Sequence, residues 1–80
     1  MIDLQGFTQI IRDQFLEDDP SKITTEIEFR TLSSWDSLTG MAVLATIEDE
    51  FKVKINVDDF KQMKTILDLF NFVNAQNKEI

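Results

Sequence analysis

The chain has 80 residues, of which 42% are hydrophobic, with two glycines and one proline, and this composition predicts one small folded domain over residues 1–80 rather than disorder. A formal net charge of −7 argues against nucleic-acid binding and favours partners with basic surfaces. Cysteine and histidine are absent, which excludes disulfides and thiolate or imidazole metal ligands. No apolar run is long enough to span a membrane. We therefore expect a monomeric cytoplasmic protein without a metal site.

The first predicted helix covers about residues 3–16. Asp3 is placed to cap its first turn, and the helix is expected to end near EDDPS because Pro20 disfavours continuation. Apolar residues recur at helical spacing along it: Leu4, Phe7, Ile10, Ile11 and Phe15.

Residues 21–35 are rich in β-branched and hydroxyl side chains. An edge strand is conceivable for ITTEIEF, because its apolar residues alternate, but the chain offers no partner strand. We therefore predict a long loop, and loops of this length are usually functional. The residues expected to anchor it to the core are Ile23, Ile27, Phe29 and Leu32.

A second helix is predicted from about Ser37 to Phe51, with two different faces. At about 100° per residue, one face is apolar and should pack on the core. That face holds Gly40, Val43, Leu44, Ile47 and Phe51. The opposite face combines apolar and acidic residues and suits a docking surface: Leu38, Met41, Ala45, Glu48 and Asp49.

Two further helices complete the predicted fold. NVDDF reads as a short third helix with Asn56 as N-cap and Phe60 directed inward. TILD at Thr65 has a form related to the capping box and opens the last helix. The expected class is all-α: a four-helix bundle with a short third helix and a long loop between helices one and two. The last helix should bury Ile66, Leu69, Phe70 and Val73.

Ser37 allows three interpretations: a nucleophile, a helix cap, or an acceptor that another enzyme modifies. Activation of a serine usually needs a neighbouring base, most often histidine, and no lysine stands at Ser-x-x-Lys spacing from Ser37. The chain is therefore not expected to be an enzyme. A capping role for Asp36 or Ser37 remains open. The acidic clusters lack the ligand spacing of a calcium-binding EF-hand.

The segment LSSWDSLTGMAVLATIEDEF, followed by KVKINVDDFKQMKTILDLFNFV, resembles the acyl carrier proteins and the wider group of phosphopantetheine-bearing carrier domains. Their hallmark is Asp-Ser-Leu at the start of helix two, matched here by Asp36, Ser37 and Leu38. The tripeptide alone is weakly specific, but the resemblance covers nearly the whole chain.

The resemblance implies that Ser37 is an acceptor. A phosphopantetheinyl transferase, using coenzyme A and magnesium, would attach phosphopantetheine to its hydroxyl, and the thiol of that arm would carry an acyl group as a thioester. Asp36 would orient Ser37 or the magnesium ion, in addition to or instead of capping the helix. Enzymes that load and unload the arm would dock through basic surfaces. The implied partner-binding residues, besides Asp36, are Leu38, Met41, Glu48 and Asp49.

Three residues depart from the pattern of many fatty-acid synthesis carriers. Ala42 replaces an acidic residue, Trp35 replaces a small one, and Gly40 lies inside helix two, where it should allow close approach of the loop or of a bound chain. These departures favour a specialised carrier. The alternatives are a peptidyl or aminoacyl carrier, and an unmodified acidic helical interaction module.

Overall fold

The computed structural model describes residues 3–16 and 18–76. These residues form four α-helices: α1 (Leu4–Arg12), α2 (Ser37–Phe51), α3 (Val57–Gln62) and α4 (Ile66–Gln76). Within the same residues there is no strand, only an isolated antiparallel bridge between Glu28 and Thr65. The predicted all-α bundle with a short third helix is confirmed. The single domain predicted over residues 1–80 extends beyond the described residues and stays a prediction.

Local hydrogen bonds begin three of the helices where the sequence predicts. The Asp3 carboxylate accepts the Gly6 N–H at 2.7 Å, and the Asn56 side chain accepts an N–H from the first turn of α3 at 2.8 Å. At α4 the capping is reciprocal: the Thr65 hydroxyl accepts the Asp68 N–H, and the Asp68 carboxylate accepts the Thr65 N–H, both at 3.1 Å. These bonds satisfy amides that have no partner within their own helix.

The C-terminal end of α1 differs from the prediction. The helix ends at Arg12 rather than near residue 16, because the chain then tightens into bonds from Gln14 N–H to Ile11 O and from Phe15 N–H to Arg12 O, each 3.0 Å. The Arg12 guanidinium donates to the carbonyl of Ile23 at 2.9 and 3.2 Å, which holds the following loop against the helix end. Phe15, which follows this end, is buried in the core.

The loop predicted over residues 21–35 is confirmed, and two short 3₁₀ helices lie at Pro20–Lys22 and Phe29–Thr31. Backbone bonds join it to the start of α4: Phe29 N–H donates to Lys64 O at 3.1 Å, and Leu67 N–H donates to Thr25 O at 2.8 Å. The four predicted anchors all pack on the core, with Ile23 and Phe29 fully buried and Ile27 and Leu32 partly buried.

The core lies between α1, α2 and α4. Phe7 is fully buried, and its ring centroid is 5.2 Å from that of Phe51 and 5.5 Å from that of Phe70. The predicted core face of α2 is confirmed by the complete burial of Val43 and Ile47. Burial of these apolar side chains is the main force that holds the helices together. It also fixes which face of α2 remains outside.

Candidate functional site

Ser37 is the first residue of α2, a helix of 15 residues. Asp36 precedes it in an extended conformation, and its carboxylate accepts the Thr39 N–H at 2.8 Å. Both Asp36 and Ser37 are exposed to solvent. The capping role predicted for Asp36 or Ser37 therefore falls to Asp36, and the Ser37 hydroxyl stands in solvent at the positive end of the helix dipole.

Hydrogen bonds keep Asp36 ionised. The Thr39 amide, the Thr39 hydroxyl and the Leu38 amide all lower the pKa of its carboxyl group. A carboxylate with a lowered pKa is a weak base but a stable negative charge. Asp36 is thus suited to attract a cation beside the Ser37 hydroxyl rather than to remove its proton.

The residues that precede the site are also fixed. The Asp18 carboxylate accepts the Ser33 N–H at 3.1 Å and the Ser34 N–H at 2.8 Å. The Thr39 hydroxyl donates to the Ser34 carbonyl at 2.8 Å. The role of Asp18 was not predicted from the sequence, because no local pattern indicates a contact across 15 positions of the chain.

Trp35 joins the loop to the core. Its ring centroid lies 5.4 Å from that of Phe29, 6.1 Å from that of Phe60 and 6.4 Å from that of Phe15. A Cβ atom on Gly40 would lie 2.9 Å from Cη2 of Trp35. The expected close approach at Gly40 is therefore made by the loop, and the two departures at positions 35 and 40 are one feature.

Arg30 fastens the same loop to α3. Its guanidinium donates to the carbonyl oxygens of Phe60 and Met63, and its central carbon lies 5.0 Å from the ring centroids of Phe29 and Phe60 and 5.5 Å from that of Trp35. An arginine beside aromatic faces gains cation–π attraction and keeps its hydrogen bonds to carbonyls. No pattern in the sequence indicates this arrangement.

The outer face of α2 begins next to Ser37. Leu38 is 75% exposed and Met41 is 66% exposed, fractions that set them apart from the buried apolar residues of the same helix. Glu48 and Asp49 are exposed further along. The structure therefore places the four predicted partner-binding residues of α2 on its exposed face, as their spacing indicated.

Two lysines border the acidic end of this face. An open groove of about 470 Å³ is lined by Ala45, Glu48, Asp49, Lys52 and Lys54. Lys52 ends α2 in the left-handed conformation with φ 59°, which brings the chain back beside the helix. The sequence did not indicate that these lysines lie beside Glu48 and Asp49, where they limit the negative charge at the far end of the face.

In residues 3–16 and 18–76, no cluster of three or more acidic side chains is arranged to hold a metal ion. No helix in those residues is both long and apolar enough to cross a bilayer.

The comparisons with known proteins agree with this geometry. A family model described as the phosphopantetheine attachment site matches residues 5–73. An acyl carrier protein of Thermosynechococcus vestitus is 32% identical over 71 residues, which cover 89% of this chain and 86% of the relative. An acyl carrier protein of Phaeodactylum tricornutum is 36% identical over 55 residues, which cover 69% of this chain and 72% of the relative.

The fold and these matches define a phosphopantetheine-bearing carrier domain. The chain belongs to the acyl carrier proteins. Its function is to carry acyl groups, and its prosthetic group is covalently attached phosphopantetheine, whose terminal thiol holds the acyl group as a thioester when it is present. The family is one of carriers rather than catalysts.

Proposed function

We propose that Ser37 bears the phosphopantetheine arm. The observation that carries the proposal is the exposed hydroxyl at the first position of α2, next to the ionised Asp36. Helix N-termini bind phosphate groups because free N–H groups and the helix dipole point toward them, an effect of about 0.3–1 kcal/mol at exposed sites. The residues present therefore fit a phosphodiester at Ser37.

The other serines support the same choice. The Ser21 hydroxyl donates to the Asp19 carboxylate at 2.9 Å. The amides of Ser33 and Ser34 donate to the Asp18 carboxylate at 3.1 and 2.8 Å, and the side chains of both serines also help to lower the pKa of that carboxyl group. Among the described residues, no carboxylate is hydrogen bonded to the Ser37 hydroxyl, and Ser37 is exposed, so its hydroxyl is open to an incoming enzyme.

A phosphopantetheinyl transferase that uses coenzyme A and magnesium would make the attachment. The role of Asp36 in this proposal is to place negative charge beside the hydroxyl, where it can help to bind the metal ion that the transferase brings. Because the chain has no histidine and the pKa of Asp36 is lowered, we assign removal of the hydroxyl proton to the transferase.

Intact-mass measurement after incubation with a promiscuous transferase and coenzyme A tests the assignment. The wild-type chain should gain one phosphopantetheine, and Ser37→Ala should gain none while its circular dichroism and thermal unfolding stay unchanged. Ser33→Ala is the matched control and should be modified like the wild type. Modification of Ser37→Ala at Ser33 or Ser34 would overturn the assignment.

We assign partner docking to the outer face of α2. Leu38 and Met41 would fill apolar contacts close to the arm, and Glu48 and Asp49 would meet basic side chains of the enzymes that load and unload it. Charge complementarity of this kind mainly raises the association rate, and salt weakens it. A monomeric carrier in the cytoplasm, as expected from the sequence, belongs to the same proposal.

Charge reversal tests the docking face. Glu48→Lys with Asp49→Lys should slow modification by the transferase and make its rate less sensitive to salt. Glu50→Lys is the matched control, because Glu50 is exposed on the same helix but lies nearly opposite Met41 at about 100° per residue. Equal rates for the double variant, the control and the wild type would exclude this face.

A specialised pathway remains our proposal for the biological role. It rests on Trp35, Gly40 and Ala42, of which the first two lie in contact with each other. A peptidyl or aminoacyl carrier would use the same arm. Mass analysis of the native cargo distinguishes an acyl carrier from a peptidyl or aminoacyl carrier, since an aminoacyl group on the arm would indicate the latter.

A further inference from the structure

Asp18 makes a long-range contact, and the proposed attachment at Ser37 assigns no direct role to it. Its carboxylate spans two consecutive amides, with Oδ1 accepting from Ser33 and Oδ2 accepting from Ser34. The side chain is half-buried, and hydrogen bonds from the hydroxyl and amide of Ser34 are the main causes that lower its pKa. A carboxylate that binds two adjacent amides fixes both the position and the orientation of that backbone.

The fixed backbone is continuous with the attachment site. The carbonyl of Ser34 accepts the Thr39 hydroxyl at 2.8 Å, and the Thr39 N–H donates to Asp36 at 2.8 Å. A chain of hydrogen bonds therefore runs from Asp18 through Ser34 and Thr39 to the cap of α2. Ser37 lies between the residues that this chain connects.

We propose that Asp18 is a positioning residue for the modification of Ser37. By holding Ser33 and Ser34, it limits the motion of the segment that leads into α2 and keeps the Ser37 hydroxyl in the geometry that the transferase meets. The inference rests on the proposed attachment at Ser37. Because Asp18 lies outside the docking face of α2, its loss should impair the reaction after binding rather than binding itself.

The test compares Asp18→Ala with Asp19→Ala, at a temperature where circular dichroism shows both variants fully folded. The two changes remove the same charge at adjacent positions, but the Asp19 carboxylate accepts from the amide and the hydroxyl of Ser21, two residues further along. Asp18→Ala should lower kcat of the transferase about tenfold with KM changed by less than about twofold. Asp19→Ala should match the wild type in both constants.

A conservative variant separates positioning from stability. The side chain of Asp18→Asn retains one acceptor oxygen and can hold one of the two amides, so its kcat should lie between those of the wild type and Asp18→Ala. Amide hydrogen exchange at Ser33 and Ser34 should accelerate in the same order.

The outcomes separate the two proposals. If the wild type is modified at Ser37 and kcat of Asp18→Ala equals that of Asp19→Ala, the positioning role of Asp18 is wrong and the attachment site stands. A rise in KM with kcat unchanged would also contradict it, because Asp18 would then act in binding. If the wild type gains no arm at Ser37, the attachment proposal itself fails.

Discussion

The contact between Gly40 and Trp35 predicts an unusual effect of a glycine-to-alanine substitution in a helix. Inside a helix, Gly→Ala normally stabilises by about 1 kcal/mol because glycine has more conformational freedom to lose. Here the new Cβ would lie 2.9 Å from Cη2 and 3.3 Å from Cζ2 of Trp35. Overpacking of this kind costs about 1–3 kcal/mol.

The second effect should win because the indole cannot move freely. Its ring contacts Phe29, Phe60 and Phe15, and the Arg30 guanidinium lies 5.5 Å from its centroid. We therefore expect Gly40→Ala to lower the free energy of unfolding by about 1 kcal/mol, the balance of the two effects.

A double-mutant cycle measured by urea unfolding, with circular dichroism as the signal, checks this reasoning. Trp35→Phe removes the outer edge of the indole, so Gly40→Ala in that background should regain its ordinary stabilisation of about 1 kcal/mol. The coupling between positions 35 and 40 should then be about 2 kcal/mol, within the range for residues in contact. Stabilisation of the wild-type background by Gly40→Ala would refute the packing argument.

Three further predictions follow from α2 and α4. Met41→Ala, at an exposed position, should change the unfolding free energy by less than about 0.5 kcal/mol yet impair transfer to a cognate enzyme, whereas the buried Ile47→Ala should cost about 2–5 kcal/mol; equal destabilisation would contradict the two-face assignment. Lys52 has φ 59°, a conformation that glycine adopts without strain, so Lys52→Gly should raise the free energy of unfolding by up to about 1 kcal/mol and with it the melting temperature. Lys52→Ala should raise neither. Hydrogen bonds from the Lys64 and Thr65 amides lower the pKa of Asp68 in the folded protein, so its carboxylate contributes fully to folding stability above the unfolded-state pKa and loses that contribution as the pH falls through the folded-state pKa. The difference in unfolding free energy between the wild type and Asp68→Asn should therefore become smaller below about pH 4. A difference that grows there would contradict this prediction.

The sequence predicted those parts of the fold that depend on local chemistry. The bounds of α2 and its two faces follow from the cap at Asp36 and from the helical spacing of apolar residues, and both are confirmed. Asn56 and Thr65 likewise marked the starts of α3 and α4 correctly. In each case the deciding interaction joins residues within one turn of helix, so a short window of sequence contains it.

The features that the sequence did not predict depend on contacts between distant residues. At the early end of α1, Arg12 binds the Ile23 carbonyl, and before Ser37 the Asp18 carboxylate binds the loop. Arg30 binds the carbonyl of Phe60, which is 30 residues further along the sequence. No local pattern reveals which carbonyl a distant guanidinium will bind. Trp35 and Gly40 each stand out in the sequence, but only the three-dimensional structure shows that they are in contact.

For the candidate site, the sequence predicted where residues lie but did not establish what each of them does. The position of Ser37 at the start of α2 and the exposure of Leu38 and Met41 follow from helix spacing. The family matches then show an acyl carrier protein with a phosphopantetheine arm. The identity of the residue that bears the arm, and of the face that partners bind, rests on the proposals above.

Peptide mapping by tandem mass spectrometry, on protein purified from its native cells, tests the central claim most directly. The account predicts that the peptide containing Ser37 carries phosphopantetheine on that serine, with an acyl group that hydroxylamine releases as expected for a thioester. Detection of the arm on Ser21, Ser33 or Ser34, or of Ser37 unmodified throughout the population, would contradict it.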